Sequence, residues 1–136
     1  MPEICVTDKK FTSPIATDKS YMAFMPAVIV AAGIAFLSLT EAGNMPSFQL
    51  NDKLVHGVMY LVLALACMGG CAYLKRTQAV FYILVCAVTT LYGGAMEVLQ
   101  DLCTVTRSAD IMDLLADFIG ALTGVLLVFF ITNPKS

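Results

Sequence analysis

Hydrophobic positions fall into four long runs, each near the roughly 20 apolar residues that cross a bilayer as a helix. The first is Tyr21 to Leu39, the second about Lys53 to Tyr73, the third Gln78 to Gln100 or slightly beyond, and the fourth Ala109 or Asp110 to Ile131. Polar interruptions separate them: residues 40–51 with Gly43, Asn44 and Pro46, a turn of about four residues at Lys75 and Arg76, and a short connection carrying Arg107. The pattern predicts an all-α, four-span transmembrane helical bundle. The first run exceeds the 7 to 15 apolar residues of a signal peptide and no small-x-small cleavage site follows it, so it is read as a span. Pro26 lies in its first turns, where a missing N–H costs least. Residues 1–20, with Lys9, Lys10, Lys19, Pro2 and Pro14, show no apolar periodicity and read as a polar tail ahead of a membrane domain over 21–132.

The polar residues inside the spans are not scattered. At about 100° per residue, Asp110, Asp113, Asp117, Gly120 and Gly124 fall within one stripe of roughly 80°. Thr89, Gly93, Glu97 and Gln100 share a face of the third span, and Asp52, His56 and Tyr60 recur every four residues in the second. Small residues four apart let a neighbour approach closely. The third and fourth spans are therefore expected to face each other across Gly120 and Gly124, with Asn51 or Asp52, Thr77, and Ser108 or Asp110 as helix caps.

Composition sharpens the compartment. With 59% hydrophobic and 13% charged residues and a mean hydropathy of +0.82, the 136-residue chain departs from the roughly 25% charged composition of soluble domains. A net charge of −2 and the absence of a basic stripe exclude a nucleic-acid partner. Cys5, Cys67, Cys71, Cys86 and Cys103 lie mostly in apolar runs, where a thiol is a small hydrophobe, so no disulfide framework is expected. Cys67 and Cys71 have no second Cys or His pair to complete a metal site. No metal and no cofactor are expected.

Of the eight Lys and Arg residues, Lys9, Lys10, Lys19, Lys75, Arg76 and Lys135 fall on one side of this topology, and Lys53 and Arg107 on the other. By the positive-inside rule both termini are cytoplasmic. The polar ends of the second, third and fourth spans then meet at the extracytoplasmic face.

Hydrocarbon disfavours carboxylates unless they face a bundle interior, a cavity or a partner. Asp117 lies about 10 Å below a cap at Asp110, at 1.5 Å per residue, and needs a proton or a partner such as Arg107 or Lys53. His56, the only histidine, titrates in a range suited to proton transfer. No residue is assigned a catalytic role, with His56, Glu97 and Asp113 as the candidates. Asp52, Lys53, His56, Tyr60, Glu97, Gln100, Arg107, Asp113 and Asp117 are the candidate binding residues. Read alone, Asp52 and Asp110 are helix caps, Lys53 an interfacial anchor and Arg107 an ion-pair partner of a nearby acid.

The ordered set Asp52-Lys53-x-x-His56-x-x-x-Tyr60, Glu97-x-x-Gln100, Arg107 and Asp113-x-x-x-Asp117-x-x-Gly120 resembles the VanZ-like family over about residues 20–131. The resemblance implies a small bacterial inner-membrane protein of the cell envelope. The family's founding member is linked to low-level resistance to the glycopeptide antibiotic teicoplanin. Its polar positions carry over to Asp52, Lys53, His56, Tyr60, Glu97, Gln100, Arg107, Asp113 and Gly120. Two departures stand out: Gly57 follows the histidine where the family often has an aromatic, and Asp117 stands where it often has Asn.

Three functions are compatible with these residues. The first is recognition of a membrane lipid or lipid-linked cell-wall precursor headgroup at an extracytoplasmic polar pocket, with His56, Arg107 and Lys53 as anion or sugar contacts. The second is a membrane enzyme with His56 and Glu97 as acid and base on a lipid-linked substrate, for which no nucleophile motif, metal set or phosphate loop is present. The third is a small proton-coupled transporter, which would want polar groups through the midplane.

Overall fold

A computed structural model describes residues 20–40, 49–103 and 110–133. These form four helices, α1 (Ser20–Leu39), α2 (Gln49–Tyr73), α3 (Ala79–Cys103) and α4 (Ile111–Thr132), all long and apolar enough to cross a membrane. Residues 1–19 of the expected polar tail, residues 41–48 of the expected loop, Arg107, the alternative cap Ser108 and the alternative start Ala109 lie outside the described residues, while the tail's Ser20 and the loop's last residues, 49–51, are helical.

Element boundaries follow local chemistry. Asp110 caps α4: its backbone is extended and its carboxylate accepts the Met112 N–H at 2.8 Å, satisfying a donor that the helix start leaves free. The expected cap at Asn51 or Asp52 is not used, because α2 already begins at Gln49 and Asp52 falls in its first turn. No breaker separates Gln49 from Asp52, and an acid in a first turn still meets the positive end of the macrodipole. The expected start of the third span at Gln78 shifts to Ala79. Between α2 and α3 the Arg76 N–H bonds Cys71 O at 2.8 Å and the Lys75 N–H bonds Ala72 O at 2.9 Å. This double closure puts Lys75 at φ +56°, a left-handed position usually held by glycine.

The centre of the bundle is the parallel pair α2 and α4, with α1 against α2 and α3 against both. Here the structure corrects the expected pairing. Gly120 and Gly124 do sit at a helix contact, but they face α2 and not α3. A Cβ on Gly120 would overlap the Gly57 carbonyl and lie 2.8 Å from its carbon, and one on Gly124 would lie 2.8 Å from Leu61 O and 3.0 Å from Ala64 Cβ. Gly57 and Ala64 make α2 thin along the same line, so the two backbones touch where a bulky residue on either helix would hold them apart. The departure at Gly57 falls on this contact line: a Cβ there would lie 3.5 Å from Ala116 O of α4, in ordinary van der Waals contact.

Further along, Ala64, Met68, Cys71, Tyr82, Val85, Ala121 and Val125 form an apolar core shared by α2, α3 and α4. A second cluster of Ile34, Tyr60 and Leu63 joins α1 to α2, and the Tyr92 hydroxyl donates to Ala31 O at 2.7 Å to tie α3 to α1. Ile29, Phe36, Ile83, Leu91, Phe130 and Ile131 are exposed, as lipid-facing residues are. Cys67, Cys71, Cys86 and Cys103 are free thiols.

Candidate functional site

Because α2 and α4 run parallel, their N-termini meet at one end and the C-terminus of α3 joins them. Two positive macrodipole ends side by side repel, and anionic groups there relieve the repulsion. Asp52, Asp110 and Asp113 occupy those first turns.

Lys53 bridges the two helices. Its ammonium donates to Asp110 Oδ2 at 2.8 Å and Asp113 Oδ1 at 2.9 Å. The Lys53 ammonium, with the Met112 N–H beside it, holds the Asp110 carboxyl below the usual carboxylate range. All three side chains keep contact with solvent, so the network positions the helices more than it stabilises them.

One turn deeper the polar groups are closed off. His56, Glu97 and Asp117 are all buried, with Asp117 only 1% exposed. His56 Nδ1 and Asp117 Oδ1 are hydrogen-bonded at 3.1 Å. With a carboxylate as acceptor, the imidazole carries its proton on Nδ1. Glu97 Oε1 lies 3.9 Å from the same nitrogen, beyond hydrogen-bond distance, while Glu97 Oε2 accepts the Asp110 N–H at 3.2 Å. The end of α3 is thus fastened to the cap of α4. Among the described residues Asp117 Oδ2 has no hydrogen-bond partner. It turns toward α3, where a Cβ on Gly93 would lie 2.7 Å away, so Gly93 is what leaves room for the carboxylate.

The structure therefore joins Lys53 with Asp113, and His56 with Glu97 and Asp117. The oxygen and nitrogen donors of Asp52, His56 and Asp113 also approach within 4.8 Å of one another. Tyr60 and Gln100 are buried nearby on the same helix faces, Tyr60 with its ring 6.3 Å from that of Tyr92. The expected pairing of Asp117 with Lys53 gives way to His56, with Lys53 held by Asp110 and Asp113 instead; the alternative partner Arg107 falls outside the described residues. Asp110, read from sequence only as a cap, is also an ion-pair partner of Lys53. Matching depths shows the signal: Lys53 and Asp113, then His56 and Asp117, are separated by 60 and 61 residues, a constant register for two parallel helices.

Four membrane-length helices with a buried histidine–carboxylate cluster at one bundle end define a multi-pass membrane protein with a polar site. The VanZ/LLP1 family model matches residues 10–132, and the chain belongs to that family. No curated protein and no solved structure matches it.

Proposed function

We propose that the polar end of α2, α3 and α4 recognises the headgroup of a membrane lipid or lipid-linked cell-wall precursor, at the extracytoplasmic face of a bacterial cytoplasmic membrane. The observation that carries this reading is the excess of acceptors. Among the described residues Glu97, Asp110, Asp113 and Asp117 face Lys53 and His56, at the bundle end where an interfacial headgroup would sit. Lys53 is already engaged by two carboxylates, which favours donor-rich headgroups, sugar hydroxyls or amines, over a bare anion. Binding of a cell-wall precursor would also connect the chain to the teicoplanin susceptibility associated with its family.

Native mass spectrometry of protein extracted from membranes tests the reading. A polyprenyl-linked or phospholipid species should remain bound to the wild type and be lost from folded Glu97→Gln. The same lipids on both proteins would overturn it.

A membrane enzyme is the second reading, favoured by the Asp117–His56 pair, which fixes the imidazole's orientation as a general base requires. Transport has less support. Deeper in the bundle the buried polar groups among the described residues are hydroxyls and a thiol, Tyr60, Tyr82, Cys71 and Thr89, the last donating to Val85 O of its own helix, with no further buried acid or base to carry a proton.

Orientation follows from the basic residues in the same proposal, with both termini cytoplasmic. On a cysteine-free background, a single cysteine at Ser47 should react with an impermeant periplasmic reagent and one at Ser136 should not. The reverse labelling would invert the bundle and place the site inside.

A further inference from the structure

We propose that His56, Glu97 and Asp117 form a site for one first-row divalent cation, of the Mn²⁺ or Zn²⁺ type. This goes beyond the headgroup reading and does not depend on it.

The donors come from three helices, and each offers a ligand atom within 4.8 Å of the other two. A cation about 2.1 Å from two donors requires them to lie no more than about 4.2 Å apart. His56 Nδ1 is 3.1 Å from Asp117 Oδ1 and 3.9 Å from Glu97 Oε1, inside that limit. The Asp117 and Glu97 ligand atoms lie within 4.8 Å of each other, so a small rotation of either carboxylate would bring that pair to the same limit.

The group is poorly completed by a proton alone. One N–H can serve Asp117 Oδ1, but it leaves Asp117 Oδ2 without a partner among the described residues, and the Glu97 Oε1 3.9 Å from the same nitrogen is beyond its hydrogen-bond reach. That oxygen belongs to a side chain 1% exposed and turns toward α3 at Gly93, one turn from Glu97. A cation in place of the Nδ1 proton would ligate all three side chains and offset two carboxylates in a region where uncompensated charge is costly. One imidazole with two carboxylates suits borderline first-row ions better than the thiolate sites of softer metals. The surrounding groups fit a supported site: the Asp110 N–H orients Glu97 through its second oxygen, as outer partners orient metal ligands. Gly93 leaves the room that Asp117 occupies. Asp52 and Asp113, which also face His56, add to the negative potential at the site.

The test is titration of the full chain, purified in detergent and stripped with chelator, with Mn²⁺ followed by electron paramagnetic resonance and with Zn²⁺ followed by calorimetry. One equivalent of either ion should bind saturably, without added lipid. Asp117→Asn and Glu97→Gln, near-isosteric changes that keep the fold, should each weaken binding by at least about tenfold. The Cys67→Ala/Cys71→Ala variant should bind as the wild type does. No saturable binding of either ion, or equal binding by the Asp117→Asn protein, would overturn the proposal. So would loss of binding in the cysteine variant, which would move the metal to the thiols. Failure of the lipid experiment with retention of the cation would leave this site standing and remove only the headgroup reading.

Discussion

Gly120→Leu should lower the unfolding temperature in detergent by roughly 10 °C or more, while Gly33→Leu should change it by no more than about 3 °C. Both substitutions put the same side chain into the middle of a helix and bring the same gain in helix propensity. They differ in what the side chain meets. At Gly33 no atom lies within 4 Å of an added Cβ, whereas at Gly120 the Cβ alone overlaps the Gly57 carbonyl of α2. That obstacle is backbone and cannot rotate aside. Relief requires α2 and α4 to separate, which would open the contacts at Leu61 and Ala64 next to Gly124 and pull the Lys53 ammonium from Asp110 and Asp113. Thermal denaturation of the two variants, with Gly120→Ala as a milder step, is the measurement. Equal tolerance at positions 33 and 120 would remove the close α2–α4 contact as the centre of the bundle.

This contact also marks where reading the chain stops being sufficient. Four apolar runs predict four spans because hydrocarbon thickness sets a minimum length, and the helices begin and end within a few residues of those runs. Helical periodicity likewise places Asp113, Asp117, Gly120 and Gly124 on one face. Periodicity says which residues share a face; it does not say which neighbour that face meets. The short connection between the third and fourth spans suggested α3. The glycines instead meet α2, where Gly57 and Ala64 supply the matching thin surface. The same gap explains Asp117. Its depth requires a proton or a partner, for which the sequence offers Lys53 and Arg107, and finding His56 needs the relative register of two helices. Once Lys53 is matched with Asp113, the parallel register leaves His56 level with Asp117. Asp110 was legible as a cap, since local sequence determines caps, and its bond to Lys53 was not, since that lies across the bundle.

His56→Ala should destabilise the protein by about 3 kcal/mol, and adding Asp117→Asn should restore a large part of that loss. Removing the imidazole leaves Asp117 with neither oxygen paired among the described residues, at 1% exposure, and a buried charge without its partner is the costly state. An amide in its place is neutral and can both give and accept hydrogen bonds. Asp117→Asn alone should cost less than about 1 kcal/mol, because its carbonyl still accepts the His56 N–H. The non-additivity should therefore exceed about 1.5 kcal/mol, with the double variant more stable than His56→Ala. Denaturation of the four proteins in detergent gives this cycle directly. Additive losses would mean that His56 and Asp117 are separate helix-end polar groups. Function should follow the opposite pattern. His56→Ala, Glu97→Gln and Arg107→Ala should each abolish headgroup retention in protein that remains inserted, and combining two should cost little more than one, as for groups acting as a unit. A double variant that regains stability without regaining ligand would separate the two roles of the cluster: the His56–Asp117 pair would both hold α2 against α4 and take part in binding.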